Sequence, residues 1–446
     1  MSLQMMLRRG LPLVIWVGAV AFAQQTSAPT FSFSSRVSDP GPRGGATTTG
    51  SPLPGLTAAQ LAAFTDGQSR FQEVDAVANG LGPRFNSNSC SSCHSQPAIG
   101  GTSPKSNPQV AFANSHNVLP SFITANGPVR EARFIRTSSG TPDGGVHALF
   151  VIAGRSDTPS GCFLTQENFS DLNNISLRIP TPAFGLGLIE AVSDATLTQS
   201  LAANGNLKAS MGITGSFNHS GNDGTITRFG WKAQNKSVAI FAGEAYNVEM
   251  GITNMVFPNE RDDTPNCSSL PSPQDTFNLG SPTPAVFDDV TGFATFMRFL
   301  APPAPAATAD PSVPRGATVF NNIGCALCHT PTLQTGPNTF GAPLSNQTIH
   351  PYSDFALHNM GPGLADQVSQ GQAAGDQFRT APLWGVGQRL FFLHDGRASD
   401  LLQAIAAHSS NGNFQFQSSE ANQVIRNFNS LSDSDKQAVL NFLRSL

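Results

Sequence analysis

The spacing of apolar residues predicts two amphipathic helices, each near the end of a long segment. Apolar side chains recur with the helical period across residues 293–300. A second helix is predicted after Ser432, which forms a capping box with Asp435 ahead of a helical apolar pattern. Val146–Ile152 and Ser237–Phe241 instead favour strands. The pattern therefore predicts a mainly α fold, with β structure added in the first part of the chain.

The first residues have the pattern of an export signal. Arg8 and Arg9 precede an apolar stretch, Leu11–Val20, which is followed by the small-residue cleavage site Ala21–Ala23. The apolar stretch is shorter than the roughly 20 residues that span a bilayer. We therefore predict that residues 1–23 are a signal peptide, with export to the periplasm and no transmembrane anchor after cleavage.

Composition marks two breaks in the remaining chain. Residues 24–55 are rich in Ser, Thr, Pro and Gly and predict a flexible lead-in, and the Pro/Ala-rich residues 301–314 predict a linker. These breaks leave two domains, residues 56–300 and 315–446. The first is longer because it carries an insertion, expected to be β-rich, at about residues 127–260. The 42 Gly and 33 Pro residues predict many ordered loops.

Similar elements recur in the same order on both sides of the linker. Gly67–Phe71 and Gly316–Phe320 each have the form Gly-x-x-x-Phe, and each precedes a Cys-x-x-Cys-His motif. Farther along, each unit has an arginine followed by a Pro-x-x-Gly-x-Gly element, at residues 178–187 and 379–387. A repeated order is better evidence of a duplicated architecture than any single motif.

The two Cys-x-x-Cys-His motifs carry the candidate chemistry. They are Cys90-Ser91-Ser92-Cys93-His94 and Cys325-Ala326-Leu327-Cys328-His329. Paired thiols at this spacing can hold zinc or exchange disulfides. They can also add to the two vinyl groups of a haem, with the next histidine ligating the iron. The histidine, the repeat and the export signal favour two covalently attached c-type haems, with His94 and His329 as proximal ligands. The predicted fold is thus mainly α, with two cytochrome c-like haem domains.

The ligand on the opposite face of each iron decides between electron transfer and peroxide chemistry. In the second unit His408, after a predicted helix, is the expected sixth ligand, in competition with Met360 and His358. Counted from the Pro-x-x-Gly-x-Gly element, the equivalent residue of the first unit is Lys208, a poor ligand. The first haem is therefore expected to be open unless another side chain closes it. The candidates for this are Met211, His116 and His147.

Longer segments resemble a known family. Phe378–Gly385 and Phe392–Arg397, with the two haem motifs, resemble the dihaem oxidoreductases related to bacterial dihaem cytochrome c peroxidases and MauG-type enzymes. Arg178–Glu190 and Arg228–Ala233 are also similar to that family. The resemblance implies that the N-terminal haem reacts with hydrogen peroxide and the C-terminal haem relays electrons. It also implies a small exported electron-donor protein, and it leaves room for a calcium ion (Ca2+).

The resemblance and the chemistry suggest further site residues. Glu190 is the candidate for moving a proton during peroxide cleavage. Arg178 and Arg379 stand at matching places and could bind haem propionates. Trp231 and Trp384 could relay electrons between the haems or could serve as packing residues.

Alternative functions and partners follow from the same features. A pure electron-transfer cytochrome would have two six-coordinate irons, and a MauG-like enzyme would oxidise a partner protein. The net charge of -4, without runs of like charge, argues against nucleic acid as a partner. The two cysteines outside the motifs, Cys162 and Cys267, either form a disulfide in an oxidising compartment or stay as buried thiols.

Replacing Cys90 or Cys325 with Ala should leave a protein with one fully attached haem, because each thioether needs its own thiol. Mass spectrometry of the denatured mature protein should find two haem masses in the wild type. One haem or none in the wild type would contradict the interpretation of the motifs.

Overall fold

The structure is a computed structural model. It describes residues 36–44, 48–113, 117–143, 148–260, 262, 264–276 and 288–446. The predicted signal peptide and the candidate ligands His116 and His147 lie outside these residues. Among the described helices, none has the length and apolar character that crossing a bilayer would require.

Helices are the main regular elements of the described chain. They are α1 (Ala58–Phe71), α2 (Cys90–Cys93), α3 (Gln109–Phe112), α4 (Leu186–Glu190), α5 (Asp194–Ala202), α6 (Gly205–Ser210), α7 (Val238–Met250), α8 (Asp289–Phe299), α9 (Ser312–Asn322), α10 (Leu401–Ala407), α11 (Asn422–Asn429) and α12 (Asp433–Ser445). The two helices that the apolar spacing predicts are present as α8 and α12. The side chain of Ser432 accepts from the backbone N–H of Asp435 at the start of α12, as the capping box predicts.

The β structure of the described residues consists of short antiparallel pairs. These are β1 (Arg84–Phe85) with β3 (Phe150–Val151), β2 (Glu131–Phe134) with β4 (Ile175–Arg178), β5 (Asn218–His219) with β6 (Ile226–Thr227), β7 (Leu333–Gln334) with β8 (Thr348–Ile349), and β9 (Leu357–Asn359) with β10 (Gln377–Arg379). The expectation of a helix-rich fold with added strands is confirmed at this level. The insertion, however, contains short strand pairs rather than an extended sheet.

One of the two predicted strand segments is a helix. Ser237–Phe241 begins α7, and the side chain of Ser237 accepts from the backbone N–H of Ile240. The β-branched and aromatic residues that favoured a strand lie at the start of a helix that is largely buried, where tertiary packing outweighs strand propensity. In the described part of the other segment, residues 148–152, only Phe150–Val151 pairs as a strand.

The repeated Gly-x-x-x-Phe motif allows two helix pairs to pack closely. A Cβ atom at Gly67 of α1 would collide with the backbone of Gly292 in α8, and one at Gly316 of α9 would collide with the backbone of Ala438 in α12. The phenylalanine of each motif is buried beside its glycine: Phe71 packs on α8, and Phe320 packs on α12. The same contact therefore occurs once in each half of the chain.

The last glycine of each Pro-x-x-Gly-x-Gly element also makes a close backbone contact. Gly187 lies against the backbone of Arg298 at the end of α8, and Gly387 lies against that of Arg444 at the end of α12. Each element is therefore fixed to the closing helix of its own half. The division into two independent domains at residues 301–314 remains a prediction.

Residues 36–44 of the predicted lead-in pack onto the C-terminal half. Asp39 forms a buried ion pair with Arg444, 2.6 Å between Oδ2 and Nη2. Val37 is buried in the core formed by α9, α10 and α12. The Gly- and Pro-rich composition suggested flexibility, but residues 36–44 are held by these contacts.

The two cysteines outside the motifs form a disulfide. Their sulfur atoms are 1.99 Å apart, and 105 residues separate them in the chain. The four cysteines of the haem motifs form no disulfide. The pairing fits the expected oxidising compartment, although export itself remains a prediction.

Gly316→Ala should destabilise the protein by about 1–3 kcal/mol, because the added methyl group must separate α9 from α12. Urea unfolding measures the change. Gly205→Ala is the matched control, since a Cβ atom there meets nothing within 4 Å. Equal unfolding free energies for the two variants would contradict the close helix contact.

Candidate haem sites and the region between them

A cavity with an empty volume of about 1190 Å³ lies at the first motif. We call it the first cavity; Cys90, Cys93 and His94 line it, together with α7 and α8. Nδ1 of His94 donates to the carbonyl oxygen of Gly101 at 3.0 Å, and the backbone of Thr181 also contacts the ring. Burial lowers the pKa of His94, so its imidazole is neutral, the form that ligates metals.

A second cavity, with an empty volume of about 1480 Å³, lies at the second motif. Cys325, Cys328 and His329 line it, together with α10, α11 and α12. Nδ1 of His329 donates to the carbonyl oxygen of Tyr352 at 3.0 Å, the arrangement that His94 has in the first cavity. The wall of each cavity therefore holds two thiols and an oriented imidazole, the groups that attach a c-type haem.

His408 faces His329 across the second cavity. Their ring centroids are 6.5 Å apart. Nδ1 of His408 donates to the carbonyl oxygen of Ala404 at 2.7 Å, so Nε2 is the free nitrogen. Burial, and then the neighbouring His408, lower the pKa of His329 to about 4. A metal ion bound by two imidazoles lies about 2 Å from each nitrogen, so this spacing fits one iron between the rings.

The competing ligand His358 is occupied by other partners. Its Nε2 is 3.1 Å from Oδ2 of Asp354, and its Nδ1 is 2.8 Å from Oε2 of Glu420. Although burial opposes it, Cys328 and then Asp354 raise the pKa of His358 well above its ordinary value. Because carboxylates hold both ring nitrogens, His358 presents no free nitrogen to the second cavity. Met360 also lines the second cavity.

The helix that crosses the first cavity has an alanine where α10 has His408. Both helices follow a short antiparallel bridge, Phe229 with Asn235 before α7 and Phe392 with Ala398 before α10. Each begins at an N-cap whose side chain accepts a backbone N–H, Ser237 for α7 and Asp400 for α10. His408 is the eighth residue after its N-cap, and the eighth after Ser237 is Ala245, which lines the first cavity.

The comparison that assigned Lys208 to this position is therefore wrong. Lys208 lies on α6, and its Nζ donates to the carbonyl oxygens of Ser200 and Leu201, at 3.3 and 2.7 Å. Met211, a candidate for closing the first haem, packs instead beside Cys325 and Cys328 of the second motif. The long insertion shifted the register, so counting from the glycine element did not reach α7.

Two carboxyl groups share the wall of the first cavity. Glu249 of α7 and Glu131 of β2 both line it, and their side chains are hydrogen-bonded. Burial, and then the charge of Glu131, raise the pKa of Glu249 well above its ordinary value. Although burial opposes it, Arg133 and Arg178 lower the pKa of Glu131. Of the two carboxyl groups, Glu249 is therefore the one that keeps a proton to the higher pH.

Glu190 lies outside both cavities. Its Oε2 is 2.6 Å from Nε of Arg298, and its Oε1 accepts from the backbone N–H of Val238 at 2.8 Å. This ion pair fastens α4 to α8 and to the start of α7. The structure does not bring Glu190 to the expected open haem face, and its proton-transfer role stays an untested prediction.

A buried ionic cluster lies between the two cavities. Arg178, which lines the first cavity, donates through Nη2 to Asp366 at 2.9 Å, and Lys232 is 2.8 Å from the same carboxylate. The Nζ atom of Lys232 lies 4.0 Å from the ring centroid of Phe378, which stacks on His394 at 4.3 Å. Phe378 and His394 line the second cavity.

Trp231 lines both cavities. Its Nε1 donates to the carbonyl oxygen of Ile179 at 3.0 Å, which fixes the indole. Nε of Arg379 donates to the carbonyl oxygen of Gly230 at 3.0 Å, and Arg379 lines only the second of the two cavities. The two arginines predicted to bind propionates thus belong to different cavities.

Several polar groups in the cavity walls lack a partner within the described chain. Both side-chain amide atoms of Asn86 and the Nε of Arg178 are buried without one in the first cavity, and so are Nε and Nη2 of Arg389 in the second. Buried donors normally have acceptors, so these atoms fit a bound group that carries carboxylates. No sequence motif marked Asn86, Glu131, Glu249 or Arg389; Glu131 and Glu249 reach the first cavity from segments far from Cys90 in the chain.

The expected calcium ion has no matching ligand set among the described residues. There, the only group of three His, Cys, Asp or Glu side chains close enough to share an ion is Cys328, Asp354 and His358. Calcium prefers six to eight oxygen ligands, which this group does not supply. Calcium binding stays a prediction.

Comparison with known proteins gives one family match. A family model described as "Di-haem oxidoreductase, putative peroxidase" matches residues 146–446. No curated protein matches the chain. Among solved structures, the diheme peroxidase BthA from Burkholderia thailandensis E264 is similar at 17% identity and a TM-score of 0.30, over 49% of this chain and 65% of that chain. This chain also covers 49% of the chain of a BthA variant.

Two other solved structures are similar over most of the chain. Hydrazine synthase from Kuenenia stuttgartiensis matches at 13% identity and a TM-score of 0.33, over 98% of this chain and 100% of that chain. A MauG-like protein associated with microbial copper homeostasis matches at 15% identity and a TM-score of 0.30, over 94% and 95%. At these scores the likenesses do not bear on the activity of this chain.

Asp366→Asn should destabilise the protein by about 3–5 kcal/mol, because it leaves Arg178 and Lys232 buried without their shared carboxylate. Although burial opposes it, Arg178 and Lys232 lower the pKa of Asp366. Its stabilising contribution is thus complete above about pH 4, the ordinary carboxyl pKa, and is lost as the pH falls through the folded value.

Chemical denaturation at neutral pH and at acidic pH measures both effects. Asp435→Asn is the control, because its partner Arg315 is exposed, and this change should cost no more than about 1 kcal/mol. If Asp366→Asn lowered the free energy of unfolding no more than the control does, the cluster would not stabilise the region between the two cavities.

Proposed function

The chain belongs to the di-haem oxidoreductase family, as its resemblance predicted, and from this premise we propose that it is an exported, peroxidase-like oxidoreductase. Two covalently attached c-type haems serve it, one in each cavity. Hydrogen peroxide reacts in the first cavity, and electrons enter through the second from a small exported donor protein. One observation carries this proposal: the second cavity has His408 opposite His329, whereas the first has Ala245 at the equivalent place.

The haem-binding residues follow from the two motifs. Each pair of thiols, Cys90 with Cys93 and Cys325 with Cys328, is free to form thioethers. His94 and His329 are each oriented through Nδ1 by a backbone carbonyl, and Nε2 of each would ligate the iron. When bound, a haem supplies an iron that can either accept peroxide or pass an electron, depending on its sixth ligand.

Glu249 is the group that we assign to proton movement. Reduction of hydrogen peroxide to two waters consumes two electrons and two protons. A general acid must therefore stand at the reaction site with its proton in place at neutral pH. Glu249 satisfies this requirement because burial and Glu131 raise its pKa, and because it lines the first cavity. Glu131, charged beside it, holds its carboxyl group through the hydrogen bond between them.

Trp231 supports electron transfer between the two sites. It lines both cavities, and its ring meets His394 edge to face, with centroids 6.4 Å apart. His394 stacks on Phe378 at the wall of the second cavity. A fixed aromatic side chain in this position shortens the distance that an electron must cross through saturated groups.

His408→Ala should convert one low-spin haem to high spin, because it removes the sixth ligand of the second iron. Visible absorption spectra of the two ferric proteins measure the change. Met360→Ala is the control and should leave the spectrum as it is. The ligand assignment is wrong if Met360→Ala alters the spin state while His408→Ala does not.

Glu249→Gln should slow the reaction with hydrogen peroxide by about 10²- to 10⁴-fold, the usual contribution of a proton-transfer group. Both haems should remain attached, with unchanged spectra at rest. Stopped-flow absorption after mixing with peroxide gives the rate. Glu190→Gln distinguishes the two candidate acids: it should leave this rate within about threefold of the wild type, and the reverse order of effects would return the role to Glu190.

A further inference from the structure

A small chamber lies between the two cavities. Three arginines, Arg228, Arg379 and Arg389, line it together with Trp231 and Trp384. Trp231 also lines both large cavities, whereas Arg379 and Arg389 also line the second one and not the first. Thr181 and Gly230 of the chamber also line the first cavity, so the chamber joins the two, with its two unpaired arginines on the side of the second. We call it the arginine chamber.

Two of these arginines have no carboxylate partner among the described residues. Arg389 is only 7% exposed, and its Nε and Nη2 are buried without a hydrogen bond. Arg379 donates only to backbone oxygens, from Nε to Gly230 and from Nη1 to Thr380. Burial lowers the pKa of each arginine to about 10, and for Arg379 the charge of Arg389 adds to the effect. Both remain charged at neutral pH.

Other arginines buried to the same degree are paired. Arg178 binds Asp366, Arg228 binds Asp194, and Arg444 binds Asp39. An unpaired charge in a protein interior costs several kcal/mol, and two adjacent like charges cost more. The exception at Arg379 and Arg389 therefore indicates an anion that is not part of the described chain.

We propose that Arg389, with Arg379, binds a propionate carboxylate of the haem in the second cavity. This inference rests on the proposed function, because it requires a haem at Cys325, Cys328 and His329. A haem attached through its vinyl groups keeps two carboxylates, and a guanidinium binds a carboxylate through two parallel hydrogen bonds. The unpaired Nε and Nη2 of Arg389 form one such edge. The sequence singled out Arg379 for this role, and Arg389 is the residue that it missed.

The arginine chamber has a consequence for the reduction potential of the second haem. Two imidazole ligands give an iron a lower potential than one imidazole and a methionine. Buried positive charge nearby stabilises the reduced form, so Arg389 and Arg379 raise the potential and offset part of that effect. With a haem bound, they would hold its carboxylate on the side of Trp231, a residue that lines both cavities.

Arg389→Gln tests the proposal in the intact dihaem protein. It should lower the reduction potential of the low-spin haem. The equilibrium constant for reduction should fall on the order of tenfold, the effect of removing a unit charge at roughly 10 Å within the protein. For a one-electron couple this is about 59 mV. Spectroelectrochemistry measures the potential, and resonance Raman spectroscopy should find a shifted propionate bending mode. Arg315→Gln, at an exposed ion pair, should change neither.

Two further variants separate the effect of charge from that of geometry and replace Arg389→Gln if it does not mature. Arg389→Lys retains the charge and should keep most of the potential while still shifting the Raman mode, because the two-bond geometry is lost. If Arg389→Gln does not mature, Arg379→Gln should lower the potential in the same direction. An unchanged potential and Raman mode in Arg389→Gln, with both haems attached, would overturn the proposal.

A free inorganic anion is the other possible occupant of the chamber. In that case the wild-type potential would depend on the identity of the added salt, chloride or phosphate, at constant ionic strength, and this result would also overturn the proposal. A wild-type protein without attached haem would instead refute the proposed function. That outcome is read by mass spectrometry and is independent of Arg389.

Discussion

Two imidazoles, each held through Nδ1 by a backbone carbonyl, are the fixed points on which the rest of the structure depends. His94 and His329 keep this arrangement although the loops that supply the carbonyls differ. Glycine contacts between α1 and α8 and between α9 and α12 bring a phenylalanine against each imidazole. Because the walls are so alike, the difference in function between the cavities depends on the helix that crosses the opposite side of each one.

That helix is α7 in the first half and α10 in the second. On α10 the eighth residue after the N-cap is an imidazole, and on α7 it is Ala245, with Glu249 one turn farther along. In the proposed function, one helix supplies a ligand, and the other supplies space and a carboxyl group of raised pKa. The region between the cavities joins the two through Trp231, the Arg178, Asp366 and Lys232 cluster, and the arginine chamber.

Short stretches of the sequence were enough to predict the haem motifs, the helices α8 and α12 and the repeated order of elements. Each of these features depends on residues that are close to one another in the chain. The assignment of Lys208 as the equivalent of His408 was wrong, because the residue count from the glycine element crossed a long insertion. Counting from the N-caps Ser237 and Asp400 instead leads to Ala245. Glu249 and Arg389 could not be predicted, because their roles come from burial beside residues distant in sequence. Glu190 had the right chemistry, but Arg298 holds it elsewhere.

Electron paramagnetic resonance of the resting ferric protein shows whether the two irons differ in spin state. The structure predicts two signals in about equal amounts, a high-spin one from the iron beside Ala245 and a low-spin one from the iron between His329 and His408. Two low-spin signals, with no high-spin signal even after one electron is added, would contradict an open first site. Such a protein would be an electron-transfer cytochrome.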